Sequence, residues 1–126
     1  MTGVIHFEIH ATDPDSLAKF YGEVFGWGAR HIPELDYWLI ATGDGAGIGG
    51  GMVRRRGPRA DDGQGVNAFV CSIAVASARA SLAKALAAGA VTALPLQAIP
   101  GVGYQAYIKD PDGNIVGLHQ ADPSAR

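Results

Sequence analysis

The chain has 126 residues, 48% of them hydrophobic, and a formal net charge of −2. That describes one ordinary domain with enough apolar material for a core, and it gives no global electrostatic case for nucleic acid or an anionic membrane as partner. There is no membrane-length apolar run and no signal-peptide core at the N-terminus, and the lone Cys71 can form no internal disulfide, so the expectation is a soluble cytoplasmic protein.

The first element is a strand around Ile5–His10. Ile5, Phe7 and Ile9 alternate with His6, Glu8 and His10. Side chains on a strand alternate faces, so one face is apolar and the other carries imidazoles around a carboxylate. Asp13 then caps a helix with Pro14 at its first position, where a missing N–H costs nothing. Leu17, Phe20, Tyr21, Val24 and Phe25 form its inward stripe, and Gly26 ends it. Short strands follow at Gly28–Ile32, Tyr37–Thr42 and Gly47–Val53. The segment Arg54–Gly65 has one apolar residue, Ala60, and reads as a solvated linker.

The same order then repeats. Asn67–Val75 is apolar and β-rich. Ser77 caps a second helix whose stripe is Ala78, Leu82, Ala85 and Leu86, and Gly89 stops it. Strands follow at Val91–Ala98, Tyr104–Lys109 and Ile115–Gln120, the last two joined by a turn at Asp110-Pro111-Asp112-Gly113-Asn114. Each half is therefore βαβββ. The expected organisation is a single domain over 1–126, with one module at 1–53, a linker at 54–65 and a second module at 66–121. One helix covers one face of each sheet, and two such sheets side by side make a concave surface of the kind ligands favour.

The chain resembles the vicinal oxygen chelate superfamily, which holds glyoxalase I, bleomycin-resistance proteins and extradiol dioxygenases. The resemblance covers nearly the whole chain. It rests on the paired βαβββ order, on Asp13 followed by Phe20-Tyr21 and Phe25-Gly26, and on Asp110-Pro111-Asp112-Gly113 before the last strand. It implies an α+β fold of paired βαβββ modules forming a concave mixed sheet, a small organic ligand as partner, and a homodimer. Metal-using members place ligands on the first and last strands of the modules. His6 matches one such position. Val70 and Gly117 stand at two others, and the remaining one falls in Gly49–Met52. One ligand of four is a poor site for a divalent cation, so the expectation is a member with no metal and no other cofactor.

What remains for chemistry is His6 and Glu8, the candidate catalytic pair: a carboxylate beside an imidazole can poise a general acid or base. Alternation alone favours the wet face of an antiparallel strand; the resemblance favours a pocket. Candidate ligand contacts are Trp38, Met52, Tyr104, Tyr107 and His119, with Tyr37 a further strand aromatic. Strand aromatics wall pockets for flat molecules and also fill cores. His10, at the end of its strand, suits a supporting role. Tyr104 follows Pro100-Gly101-Val102-Gly103, a loop with which it could move. Gly45–Gly51 lacks the Lys-Ser/Thr ending of a phosphate loop and reads as a glycine-rich turn. Arg54, Arg55, Arg56 and Arg59 are offset by Asp61 and Asp62. Cys71 is expected as inert packing. Three functions remain open: a metal-free enzyme moving a proton, a binder that sequesters a drug or metabolite, and a metal-dependent lyase or dioxygenase.

Overall fold

The computed structural model describes residues 2–43, 47–61, 63–64, 68–111 and 114–126. Gly45 and Ala46 of the glycine-rich stretch, Asp62, Gly65 and Asn67 of the linker region, and Asp112 and Gly113 of the last turn lie outside them. The chain divides into two units, one of residues 6–69 and one of residues 70–126 with the first five residues.

In the first unit, β1 (Val4–Ala11) buries Phe7, Ile9 and Ala11. The Asp13 carboxylate accepts from the Ser16 backbone N–H at 3.3 Å and opens α1 (Pro14–Phe25), and Gly26, in the left-handed region at φ 74°, closes it. Strands β2 (Gly28–Ile32), β3 (Tyr37–Ala41) and β4 (Gly50–Arg54) follow. The sheet runs β2-β3-β4-β1, with β1 parallel to β4 and the other pairs antiparallel. Phe7, Ile9, Ala11, Trp38, Ile40 and Met52 form the core, and Leu17, Ala18, Tyr21 and Trp27 pack on it.

The second unit repeats the plan. β5 (Val70–Ala74) leads to α2 (Ala78–Ala87), whose cap Ser77 accepts from the Ala80 N–H at 3.1 Å. The Gln120 side chain accepts from the Ala78 N–H at 2.9 Å, satisfying another open donor of the first turn. Strands β6 (Val91–Ile99), β7 (Gly103–Lys109) and β8 (Ile115–Ala121) complete a sheet ordered β6-β7-β8-β5, with β5 parallel to β8. Ala78, Ala106, Ile108 and Leu118 are buried, and α2 packs against β6, β7 and β8. Each half is thus an α+β module with a mixed sheet, as the alternation and caps predict.

Three expectations need correction. Only part of the α1 stripe faces inward: Phe20, Val24 and Phe25 are about half exposed or more, at 49%, 56% and 60%. The sheet takes one narrow strip of the helix, through Leu17, Ala18 and Tyr21. Leu86 of α2 is exposed in the same way. Strand β4 begins at Gly50, not Gly47; ahead of it, Thr42 Oγ1 donates to the Ile48 carbonyl at 2.8 Å. No helix among the described residues is long and apolar enough to cross a membrane.

Candidate functional site

The alternation on β1 puts His6, Glu8 and His10 on the face opposite α1. That face is not simply wet: Glu8 is 8% exposed, and His6 and His10 are half-buried. A buried carboxylate needs partners. Register supplies one from β3. Glu8 pairs with Gly51 of β4, and Gly51 pairs with Leu39 of β3. Tyr37, two residues before Leu39, therefore shares the face of Glu8. Its hydroxyl donates to Glu8 Oε2 at 3.3 Å and lies 2.7 Å from His6 Nε2. A hydroxyl has one proton. With that proton on the carboxylate, its oxygen accepts from His6 Nε2–H. The His6 and Tyr37 rings are near parallel, 17° apart. Gly51 makes this possible, because a Cβ there would overlap the Tyr37 hydroxyl.

Trp38 and Met52 go to the other face. They are 3% and 0% exposed and belong to the core under α1. Trp38 Nε1 donates to Asp15 Oδ1 at 3.0 Å, and its ring stacks on His31 at 4.1 Å. Arg54 lies 5.2 Å from the Trp38 ring and bonds Asp36 at 2.9 Å. One step of strand parity thus gives Tyr37 to the polar face and Trp38 to the core.

The second unit carries a related cluster. Ser72 of β5 pairs with Gly117 of β8, and Gln105 of β7 pairs with His119. Gln105 Oε1 lies 2.7 Å from His119 Nδ1, and Gln105 Nε2 donates to Ser72 Oγ at 3.0 Å. Ser72 is 3% exposed. Burial holds the His119 imidazole below its ordinary pKa of 6.5. A Cβ on Gly117 would collide with Ser72 Oγ and Gln105 Nε2. Tyr107 shares this face. Tyr104, of opposite parity, lies on the side of Ala106 and Ile108. The loop before Tyr104 is tied down: Gly101 N–H donates to the Ala125 carbonyl and Asp122 N–H to the Val102 carbonyl, each at 2.9 Å. Cys71 is half-buried on the α2 side of β5.

The resemblance puts one last-strand ligand position at Gly117 and the first-half one within Gly49–Met52, where Gly51 lies. Gly51 and Gly117 offer no donor, and neighbouring polar side chains fill the space a donor would need. Among the described residues, no group of three or more His, Cys, Asp or Glu is placed to hold an ion.

Sequence reasoning pointed to His6, Glu8 and His119 as site residues, and the structure sets His6 and Glu8 in one cluster and His119 in another. Sequence reasoning named Tyr37 as a wall aromatic without joining it to them, and it missed Ser72 and Gln105. A glycine opposite each cluster was the available signal.

Comparison with known proteins gives three results. The model of the glyoxalase-like domain matches residues 6–118. The search of curated proteins gives no match. Solved structures share the fold at low identity. Methylmalonyl-CoA epimerase from Mycobacterium tuberculosis is 15% identical, with a TM-score of 0.66 over 96% of this chain and 89% of that one. A Streptomyces coelicolor methylmalonyl-CoA epimerase in complex with 2-nitronate-propionyl-CoA is 17% identical, with a TM-score of 0.64 over 100% and 99%. A glyoxalase/bleomycin resistance protein/dioxygenase superfamily member from Vibrio splendidus 12B01 is 14% identical, with a TM-score of 0.60 over 95% and 99%.

Proposed function

Because the chain belongs to the glyoxalase-like domain family, we propose that it binds a small organic ligand at the sheet face of His6, Tyr37 and Glu8 and moves a proton on it without a metal. The observation that carries this reading is the hydrogen-bonded row in which one hydroxyl joins an imidazole to a buried carboxylate. In this bonding sense, a proton taken up at His6 Nδ1 lets the Nε2 proton pass to the Tyr37 oxygen and the hydroxyl proton pass to the Glu8 carboxylate. The substrate class it suits is a carbonyl or hydroxyl compound with an exchangeable proton. The epimerases of similar fold support that class: epimerisation beside a carbonyl is a proton removed and a proton returned.

Metal independence is supported by Gly51 and Gly117, whose places leave no room for a donor side chain. Elemental analysis of purified protein is expected to find no stoichiometric transition metal, and chelators are expected to leave Tm unchanged. About one Zn, Ni, Mn or Fe per chain would contradict this, because a real site binds tightly enough to survive purification. The reading includes a cytoplasmic location, supported by the single unpaired cysteine. It also includes a homodimer, supported by the exposed apolar side chains of α1; light scattering at micromolar concentration measures it.

The test of the function is solvent deuterium exchange into a panel of 2-substituted carbonyl acids and esters, followed by proton NMR. Catalysed exchange that is lost in Glu8→Gln and Tyr37→Phe is expected. Ligands that raise Tm without any exchange would make the protein a sequestering binder instead.

A further inference from the structure

The second unit has a polar cluster that the proton row of the first does not use. Gln105 Oε1 is 2.7 Å from His119 Nδ1. A carbonyl oxygen carries no proton, so Nδ1–H donates, and the neutral ring keeps its lone pair on Nε2. The same amide's Nε2 donates to Ser72 Oγ at 3.0 Å, and Ser72 is itself buried. Gly117, between them, has no side chain to obstruct the arrangement. His119 is half-buried and so remains reachable.

The surroundings select the class of partner. The strand neighbours sharing this face are Ala74, Gly117, Ala121 and Tyr107, none of them charged at neutral pH. The nearest charged side chain on the same face of β7 is Lys109, four residues from Gln105 and two beyond Tyr107. Among these described strand neighbours, neither a cation nor a carboxylate stands beside His119. Tyr107 brings a flat ring next to Gly117, with its Cε1 3.1 Å from where a Cβ on that glycine would lie. Flat ligands stack or edge-pack on such a ring.

We propose that His119, Gln105 and Ser72 form a binding subsite for an uncharged hydroxyl, phenolic or alcoholic, whose proton His119 Nε2 accepts. His119 is the contact residue, and Gln105 and Ser72 are positioning residues that fix which ring nitrogen is bare. The depressed pKa of His119 agrees with this, since the acceptor exists only in the neutral ring. His6, Tyr37 and Glu8 belong to the other unit.

The test is nitrogen-detected NMR of the His119 ring, with phenol as probe and benzoate as anionic control. The expected wild-type result is the Nδ1–H tautomer, with phenol shifting the Nε2 resonance and benzoate leaving it in place. Gln105→Glu keeps the shape and still accepts from Nδ1–H and from the Ser72 hydroxyl. It places a carboxylate beside the imidazole, raises its pKa and protonates Nε2. Phenol affinity read at His119 is then expected to fall about tenfold at neutral pH and to recover as pH rises. Ser72→Ala is expected to weaken the response partially by loosening the amide. An Nε2–H tautomer, an Nε2 resonance that phenol does not move, an equal shift with benzoate, or an unchanged phenol response in both variants would each overturn the proposal.

Discussion

The two halves share a frame and differ in what they hang on it. In each, the residue on the first strand that faces away from the helix pairs with a glycine on the last: Glu8 with Gly51, Ser72 with Gly117. In each, a polar side chain from the third strand, Tyr37 or Gln105, reaches over that glycine. The imidazole comes from different places. His6 is supplied by β1, whereas His119 is supplied by β8, where the first half has Val53 opposite Tyr37. One cluster therefore ends on a carboxylate and the other on a hydroxyl. The difference teaches that a repeated scaffold fixes where polar groups meet and leaves their charge free to diverge.

The cores diverge too, and the largest expected effect tests this. Trp38 of the first half stands where the second half has Ala106, both fully or almost fully buried. Trp38→Ala should cost about 3–5 kcal/mol, because it removes a large side chain and leaves a cavity. Urea denaturation measures it. A loss well under that range would mean that the first core can collapse onto the gap as the second has done by design of its sequence.

The paired glycines come next. Gly51→Ala and Gly117→Ala each force a methyl onto a neighbouring polar side chain. Overpacking of this kind costs about 1–3 kcal/mol. The two should differ. Tyr37 is a long side chain that can swing aside, whereas Gly117 faces buried Ser72, so Gly117→Ala should be the more damaging. Equal losses in thermal denaturation would count against the different mobility assigned to the two clusters.

This pair also shows how far the sequence could be read. Caps, stop glycines and period-two alternation are local signals, and they placed both helices and most strands. Which aromatic of Tyr37-Trp38 joins the polar face is not local. It depends on the register of β3 on β4, one step of which exchanges the two faces. Ser72 and Gln105 were invisible for the same reason: each is an ordinary polar residue until pairing sets Gln105 beside His119 and Ser72 beside Gly117. The exposed Phe20, Val24 and Phe25 were misread because helical spacing defines a stripe, while the sheet decides how much of it is covered.

Smaller effects separate the helix caps. Asp13→Ala and Ser77→Ala each remove an acceptor for the first turn, and each should lower the denaturation midpoint slightly. Ser77→Ala should be the milder, since Gln120 still accepts from the Ala78 N–H. Chemical denaturation of the two variants checks the order.

The halves also respond to acid in different windows. The hydrogen bonds from Ser16 hold the Asp13 carboxyl below its ordinary pKa of 3.8, so its contribution is present above that value and is lost as pH falls through the folded-state pKa. Burial lowers His119, so the folded protein binds this proton less readily than the unfolded chain. Stability should therefore decline as pH falls from about 6.5 toward the folded-state pKa, and His119→Asn should remove that decline while leaving the acid loss at Asp13. Melting temperatures across pH resolve the two.

The claim at the centre is that His6, Tyr37 and Glu8 act as one coupled row. The most direct measurement is the NMR titration of the His6 ring in the wild type, Glu8→Gln and Tyr37→Phe. The row predicts that neutralising Glu8 moves the His6 midpoint and that removing the Tyr37 hydroxyl moves it as well. A His6 titration identical in all three proteins would contradict it.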